Sequence, residues 1–342
     1  MSRVLLRVLV TLLVVLAPGF VRAEPTTTTN GSLGLVRTSA AEVGPQGRLR
    51  LGLHGELYRG SEVLVSAPDS SGDRDTRVRA GVSVGLTPLR FLELFAALAA
   101  GANRNQRICT DAGGLRCVSE PGRVDPEVLK APAALSLGGK VARPLRAGLS
   151  VGTELGFVLR SPTSRVGIDA KATSVWLSGL GGWNLRPLAR FPLHVHVALG
   201  YIVDNGRAVR DLSHMAPTSQ LVYAFAYGLE RDRARGSVGL ASLLRLRRFG
   251  LRPSLEYSAE VITAAADAAF PAAGGRHNRD RHGALFGLAL LHASGFGIGA
   301  GVELALRDAS LAYGPPGAPY NVLLTVHQTL DVARPAPATI PE

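Results

Sequence analysis

Apolar side chains recur at every second position in segments of about ten residues along most of this chain. In segment 193–204, six apolar residues lie at the odd-numbered positions. His194, His196, Ala198, Gly200 and Asp204 lie at even-numbered positions between and after them. Successive side chains of a β-strand point to opposite faces, so this alternation predicts strands with one apolar face and one polar face. Repeated segments of this length and pattern are typical of transmembrane barrel strands. A shift of one residue would turn both histidines to the apolar face.

The alternating segments predict an all-β fold, an antiparallel transmembrane β-barrel of twelve strands. A helical reading fails because the apolar positions recur at i+2 and because the chain contains 40 glycines, which weaken helices. Ten or fourteen strands remain alternatives, and fourteen requires that segments 32–38 and 221–229 both enter the wall. The twelve predicted strands are 48–58, 77–87, 91–103, 133–143, 147–160, 174–185, 193–204, 237–247, 251–262, 282–292, 296–307 and 320–332.

The connections between these segments alternate between short and long. Short turns carry Pro-Leu-Arg or a similar sequence at 88–90, 144–146 and 186–190, whereas long excursions fill 60–76, 104–132, 161–173, 205–236 and 263–281. Outer-membrane barrels have short periplasmic turns and long extracellular loops. The alternation therefore predicts that both chain termini lie in the periplasm, with segment 221–229 in a long, partly helical loop at 205–236.

The N-terminus indicates export. Arg3 and Arg7 accompany the apolar run 8–16, and small residues precede a predicted cleavage site after Ala23, as in a secretory signal peptide. The alternative, a membrane anchor helix, needs about 20 apolar residues. No later stretch is apolar enough to span a bilayer, and only helices and closed barrels can do so. We therefore predict a signal peptide (1–23), a periplasmic lead-in (24–47), an outer-membrane barrel (48–332) and a Pro/Ala-rich tail (333–342).

The formal net charge of +12 at pH 7 raises the possibility of a nucleic-acid partner. The basic residues are spread singly over strands and turns, whereas a nucleic-acid footprint is a clustered stripe, so this class is excluded. A basic barrel instead suits anionic lipid headgroups, lipopolysaccharide and anionic solutes. We expect the barrel-assembly machinery and periplasmic chaperones as further partners, and no cofactor. The oligomeric state stays open.

The alternation also predicts which polar side chains line the lumen. Rings of basic residues would favour an anion-preferring pore. A paired network that plugs the lumen is the equal alternative, because buried charges require partners. The predicted lumen-lining residues are Arg48, Arg50, His54, Glu56, Arg77, Arg79, Glu93, Lys140, Glu154, His194, His196, Arg245, Arg252, Glu256, Glu303 and Arg307.

Other candidate sites are few. Cys109 and Cys117 are close together in an exported chain and predict one loop disulfide, since a metal clip would need further ligands nearby. His194 and His196 are two apart on one strand face, but two ligands are weak evidence for a metal site. Lumenal hydrogen bonding is the simpler interpretation, and no metal site is predicted.

Four sequence stretches resemble outer-membrane barrels common in myxobacteria and related deltaproteobacteria. They are LGLVRTSAAEVGPQGRLRLGLHGE (33–56), LTPLRFLE (86–93), LHVHVALGYIVDN (193–205) and PYNVLL (319–324). In many members of that group, the barrel precedes a peptidoglycan-binding domain of the outer membrane protein A (OmpA) type. The present sequence stops at Glu342 without such a domain, so the resemblance implies location and fold rather than cell-wall attachment.

Three functional hypotheses follow: a pore for small, preferentially anionic solutes, a structural or surface-displaying barrel without transport, and a lipid-modifying enzyme. Ser294 near His292 and Ser213 beside His214 are the close Ser–His pairs in the sequence. Adjacent strand residues face opposite ways, and the chain has no Gly-x-Ser-x-Gly segment in a strand–turn–helix setting. We therefore predict that the chain is not an enzyme.

Overall fold

Fifteen strands and one short 3-10 helix are present in the computed structural model, which describes residues 26–61, 74–108, 124–160, 172–186, 192–209, 231–264, 280–307 and 318–332. Within those residues, no helix is long and apolar enough to cross a bilayer. The helix is Gly206–Val209. The strands are β1 (Thr26–Thr27), β2 (Leu33–Gly34), β3 (Arg48–Ser61), β4 (Arg74–Leu89), β5 (Leu92–Ile108), β6 (Val124–Pro144), β7 (Leu149–Arg160), β8 (Ala172–Asn184), β9 (Leu193–Val203), β10 (Arg233–Ser242), β11 (Leu244–Leu246), β12 (Phe249–Ile262), β13 (Asp280–His292), β14 (Phe296–Arg307) and β15 (Tyr320–Asp331).

The strands from β3 onward close into one antiparallel barrel. Each pairs with the next along the chain, except that β10 and β11 both pair with β12, and the last strand, β15, pairs with β3. The short β11 follows β10 and pairs with the next part of β12, so β10 and β11 together count as one strand of the wall. The wall therefore has twelve strands, and each overlaps one predicted segment, although β6 begins at Val124 rather than at the predicted residue 133. The predicted fold class is confirmed.

Short and long connections alternate around the barrel, as predicted. The short ones, which define the short-turn end, are 90–91, 145–148, 185–192, 247–248 and 293–295. One of them depends on Gly148, whose φ is +77° and whose Cβ, if present, would lie 2.2 Å from the carbonyl oxygen of Asn184. The opposite, long-loop end carries the remaining connections. There β10 begins at Arg233, earlier than we predicted, while segment 221–229 lies outside the described residues.

The barrel is apolar outside and polar inside. Every wall strand exposes large hydrophobic side chains on its outer face, including Leu53, Val82 and Leu199, which is 65% exposed. Arg50 and Lys140, on the inner face, are 1% and 0% exposed. This distribution is the reverse of that in a water-soluble protein, where charged side chains are almost never fully buried unless they are paired.

Residues 26–47 lie inside the barrel, and we call them the N-terminal plug. Four apolar residues of the plug are at most 2% exposed: Leu33, Leu35, Ala40 and Ala41. The plug contains the β1–β2 hairpin and makes hydrogen bonds to wall strands on different sides of the lumen. The sequence led us to expect a lead-in that precedes the barrel at 24–47, and the described part of that segment does not fit this expectation. Within the lumen, its leucines are shielded from water and its backbone meets charged wall residues.

Candidate functional site

Glu256 on β12 binds three consecutive backbone amides of the plug. Its carboxylate accepts hydrogen bonds from the amides of Val36 (3.0 Å), Arg37 (2.9 Å) and Thr38 (2.7 Å). The side chain is 2% exposed, so these bonds form away from bulk water. Hydrogen bonds to a charged group are stronger than neutral ones, and a buried carboxylate without them would be costly. Glu256 therefore fixes the bend of the plug at 36–38.

A second clamp is formed by Glu93 on β5 and Lys140 on β6. The Glu93 carboxylate accepts a hydrogen bond of 2.7 Å from the Leu33 amide and lies 2.9 Å from the Lys140 ammonium. Lys140 Nζ in turn donates to the carbonyl oxygens of Leu33 and Ala40, both at 3.1 Å. Arg50 completes the group with an ion pair to Glu93 at 2.9 Å. The plug thus supplies both a donor and two acceptors to charged wall residues that are fully buried.

Arg37 is the plug's own charged anchor. Its guanidinium lies 2.9 Å from Glu56 on β3 and 2.9 Å from Glu303 on β14. Arg235 on β10 donates to the Arg37 carbonyl oxygen at 3.2 Å. Because these partners come from three separate strands, Arg37 ties the plug to opposite parts of the wall.

Small inward residues make room for the plug. A Cβ atom at Gly239 on β10 would lie 2.4 Å from Leu35 Cδ1, and one at Gly52 on β3 would lie 2.9 Å from Thr27 Oγ1. Neither distance is compatible with a normal van der Waals contact. Glycine at these positions therefore allows the plug to approach the wall closely.

Part of the lumen is apolar. Phe95, Leu285, Leu291 and Leu323 point inward and are buried. A water-filled channel would leave such side chains hydrated, whereas here they are covered. The interior is therefore filled rather than open in this structure.

A polar cluster closes the long-loop ends of β7, β8 and β10 around Asp204, which directly follows β9. Its two carboxylate oxygens lie 2.9 Å from Arg160 and 3.1 Å from Arg233. Oδ1 also accepts hydrogen bonds from Ser174 Oγ and the Gly206 amide. Burial alone would raise the pKa of Asp204. The charges of Arg160 and Arg233, together with the hydrogen bonds from Arg160 and the Gly206 amide, outweigh burial and lower its pKa below the usual aspartate value.

A cavity of about 160 Å³ remains between the plug and the β7–β10 wall. Its lining is mostly polar and includes Arg37 of the plug together with Glu154, Trp176 and Arg235 of the wall. Trp176 Nε1 donates to Glu154 Oε1 at 3.0 Å. The cavity is large enough for several water molecules or a small solute.

The predicted lumen residues fall into three groups. Those that hold the plug or each other were described above, apart from Arg252, which donates to Thr26 Oγ1 and Gly34 O. Arg48 pairs with Asp331 and Arg77 with Asn321. Three further residues, His54, Arg79 and His194, lie half-buried on the inner face, where His196 is fully buried.

The lumen-lining role of Arg245 stays a prediction. Arg245 pairs across strands with Gly250, so it lies on the inner-face side of β11, and its side chain is exposed at the short-turn end of the barrel. The side chain of Arg307 lies outside the described residues, as do Cys109 and Cys117, so the predicted disulfide remains a prediction.

The inward histidines do not form a metal centre in the described part of the chain. The rings of His194 and His196 are stacked with centroids 6.3 Å apart. Among the described residues, no group of three or more His, Cys, Asp or Glu side chains is placed to hold a metal ion.

His292 and Ser294 do contact each other, which the sequence argument did not anticipate. His292 Nδ1 and Ser294 Oγ are 2.9 Å apart, and the Ser294 amide donates to the same Nδ1 at 3.3 Å. His292 is the last residue of β13 and Ser294 lies in the turn that follows, so the two are not on opposite faces of one strand. The backbone donor marks the contact as a local turn interaction, and the structure gives the pair no carboxylate partner among the described residues.

The plug is the feature that sequence reasoning missed. Segment 32–38 alternates like a strand, and the fourteen-strand alternative places it in the wall. The signal that could have revealed its place is the inner face, which carries Gly52, Gly239, Phe95 and Leu323. Such small and apolar inward residues fit a lumen that is packed against protein.

No protein-family model matches the chain, and no curated protein matches it. Similar solved structures include an outer membrane channel from Pseudomonas putida F1, with a TM-score of 0.48, 13% identity and coverage of 85% of this chain and 98% of that one. The translocator domain of the autotransporter NalP from Neisseria meningitidis has a TM-score of 0.41 and 13% identity over 84% and 88% of the two chains. The NanC porin has a TM-score of 0.43 and 11% identity over 82% and 100%.

Replacing the central clamp should loosen the plug. In Glu256→Gln, the carboxylate charge is lost and one carboxylate oxygen becomes an amide donor that faces backbone N–H groups. We expect hydrogen exchange at the amides of residues 36–38 to accelerate about 10- to 100-fold, which corresponds to the loss of charged hydrogen bonds. Hydrogen–deuterium exchange with mass spectrometry measures this. Glu154→Gln is the matched control, because Glu154 bonds Trp176 instead of the plug. Equal protection of residues 36–38 in both variants would contradict the role of Glu256.

The Asp204 cluster should give the barrel a pH-dependent stability. Because the folded-state pKa of Asp204 is lowered, its contribution is present above the unfolded pKa of about 3.9 and is lost as the pH falls through the folded value. We expect Asp204→Asn to lower the free energy of unfolding by about 2 kcal/mol at neutral pH. This difference from the wild type should shrink below about pH 4. Denaturant unfolding at several pH values tests it, with Asp331→Asn, at an exposed ion pair, as the control.

Proposed function

We propose that this chain is an integral barrel of the bacterial outer membrane and acts as a channel whose lumen is closed by its own N-terminal plug. The observation that carries the membrane assignment is the ring of exposed hydrophobic side chains, which continues over all twelve wall strands. Soluble monomers rarely expose contiguous apolar patches beyond a few hundred square ångströms. A closed barrel leaves no unpaired strand edge in lipid, so the same surface is stable in a bilayer.

The orientation follows from the two ends of the barrel. Short turns face the periplasm in bacterial outer-membrane barrels. The plug joins the wall at this end, where the Gly47 amide bonds the Thr87 carbonyl and the Val332 amide bonds the Gly47 carbonyl. The plug therefore enters the lumen from the proposed periplasmic mouth.

The channel assignment is supported by the way in which the plug is held. Its main anchors are Glu256, Glu93, Lys140 and Arg37, which are charged groups rather than an apolar socket. If the plug leaves, water can enter and hydrate the charges that it had paired, which an apolar socket would not allow. The opened lumen would be lined by Arg50, Lys140 and other basic residues, and this supports a preference for small anionic solutes.

A structural barrel without transport is the second candidate. The buried inward side chains of Phe95, Leu285 and Leu323 favour it, because release of the plug would expose them to water. The two candidates differ in whether the plug can leave the lumen of a folded barrel.

Removal of the plug should open the channel. We expect the full chain to show rare or no conductance steps in planar bilayers, and a variant without residues 26–46 to conduct steadily. In that variant, Arg77→Glu with Arg79→Glu should shift the reversal potential in a KCl gradient toward lower anion preference. Arg59→Glu with Arg104→Glu, at the long-loop end, serves as the charge-matched control.

A folded but silent plugless barrel would favour the structural candidate instead. Folding is checked by the altered electrophoretic migration of unheated barrel. If the deletion prevents folding, Gly239→Leu offers a second test, because its side chain would collide with Leu35 and weaken the seat of the plug. Steady conductance in this variant supports the channel, and its absence in a folded protein contradicts it.

The membrane assignment predicts a dependence of stability on depth. Leu199 lies near the middle of β9 and Leu244 near the short-turn end, and both are exposed on the outer face. In lipid vesicles, Leu199→Lys should destabilise the barrel by about 2–4 kcal/mol and Leu244→Lys by about 0–1 kcal/mol. Equilibrium unfolding from vesicles measures both. Equal costs for the two lysines would argue against a bilayer around the wall.

A further inference from the structure

The short-turn end carries an arc of exposed arginines. They occur in four successive short connections or directly beside them, from the β4–β5 turn to the β11–β12 turn. None of them forms an ion pair with an acidic side chain in the described part of the chain. We call them the arginine rim, and they are Arg90, Arg143, Arg146, Arg186, Arg247 and Arg248.

Acidic residues are almost absent from this end. The five short connections contain no Asp or Glu in their sequences. Glu93 lies close to the first of them but is buried between Arg50 and Lys140, and Asp331 is paired with Arg48. The sequences of the long loops carry both signs of charge, for example Arg116 and Glu120 between β5 and β6. Glu42 of the plug lies inside this end of the barrel, where Ser150 donates to its carboxylate. The exposed arginines therefore have no ion-pair partner among the described residues.

The arginine rim adjoins the apolar outer wall. Phe91, Trp183 and Phe249 are exposed there, at 53%, 40% and 46%. Arg143 shares the outer face of β6 with the exposed Val141, two residues away. Aromatic side chains at the ends of barrel strands mark the boundary between hydrocarbon and headgroups. A long arginine at this level can keep its stem against the apolar surface while its guanidinium reaches the headgroup layer.

We propose that the arginine rim binds the phosphates of anionic glycerophospholipids in the leaflet that surrounds the short-turn end. This proposal rests on the membrane assignment above. A guanidinium matches phosphate oxygens with paired donors, and a cation near an anionic membrane surface is attracted to it. A phospholipid suits the surface better than a free anion, because its acyl chains cover the adjacent Phe91, Trp183 and Phe249 while its headgroup meets the arginines.

Trp183 is a natural reporter for this lipid contact. The chain has two tryptophans, and Trp176 is buried inside the barrel. Trp183 pairs across strands with Leu149, so it lies close to the turn that carries Arg146 and to Arg186 just beyond β8. In Trp176→Phe, the remaining fluorescence comes from Trp183. Bromine atoms on lipid chains quench it by contact, so quenching by brominated phosphatidylglycerol and by brominated phosphatidylcholine compares the two lipids at this position.

The experiment uses vesicles that mix one brominated and one unbrominated lipid. We expect brominated phosphatidylglycerol to be preferred at Trp183 about fivefold over brominated phosphatidylcholine at low salt. The preference should fall in 0.5 M NaCl, at about the ionic strength where surface charges are screened. In Arg143→Gln/Arg146→Gln/Arg186→Gln it should be nearly lost. Arg59→Gln/Arg74→Gln/Arg104→Gln removes the same charge at the long-loop end and should leave it unchanged.

The outcomes separate this proposal from the membrane assignment. Equal quenching by both brominated lipids would refute lipid selectivity while leaving the barrel in the bilayer. No quenching by either lipid would overturn the membrane assignment itself. A preference that survives in the short-turn triple variant would refute the role of the arginine rim. If Trp176→Phe fails to fold, the native chain serves, because Trp176 inside the barrel adds a constant unquenched signal.

Discussion

The need to pair buried charges governs this structure. The inner wall carries Glu93, Lys140, Glu256 and Arg50 in places that bulk water does not reach. An ionised group left alone in such a place would cost several kilocalories per mole. The wall residues satisfy each other only in part, and the backbone of the plug supplies the remaining donors and acceptors. The plug is therefore part of the electrostatic design of the barrel as well as a filling of its lumen.

The same constraint explains why plug and wall are matched in detail. Glu256 receives three amides in a row, which requires the chain to bend at 36–38 in front of it. Arg37 then projects from that bend toward Glu56 and Glu303. Glycines on the facing strands leave space for the side chains of Thr27 and Leu35 to approach the wall. A different chain of equal volume would leave these charges without partners, so the lumen is specific for this segment.

The wall was predictable from the sequence because a bilayer imposes a strict rule. Outward positions such as Leu53 and Leu199 must be apolar and inward ones need not be, so the period of two is visible without any knowledge of neighbours. Connection lengths added an independent check on strand number. The place of segment 32–38 was not predictable in this way, because a short alternating stretch looks the same in a wall and in a lumen.

Contacts across the lumen were also beyond the reach of sequence patterns. Alternation shows that Glu93, Lys140 and Glu256 point inward, but it does not show what they meet. Arg37 lies far from Glu303 in the chain, and no local spacing links them. Alternation also does not show where the enclosed lumen ends. Arg245 has the inner-face register through its pairing with Gly250, but its side chain is exposed at the short-turn end.

The pairing of β15 with β3 has a consequence for how the molecule is made. The wall closes only when its last strand meets its first, and by then residues 26–47 have long been synthesised. Their contacts with charged wall residues lie on β3, β5, β6, β10, β12 and β14, so these strands can find part of their charge complement on a segment that is already present. The N-terminal residues can thus act as a template around which the wall strands assemble. Because the plug is synthesised before the wall, the order of the chain favours this order of assembly.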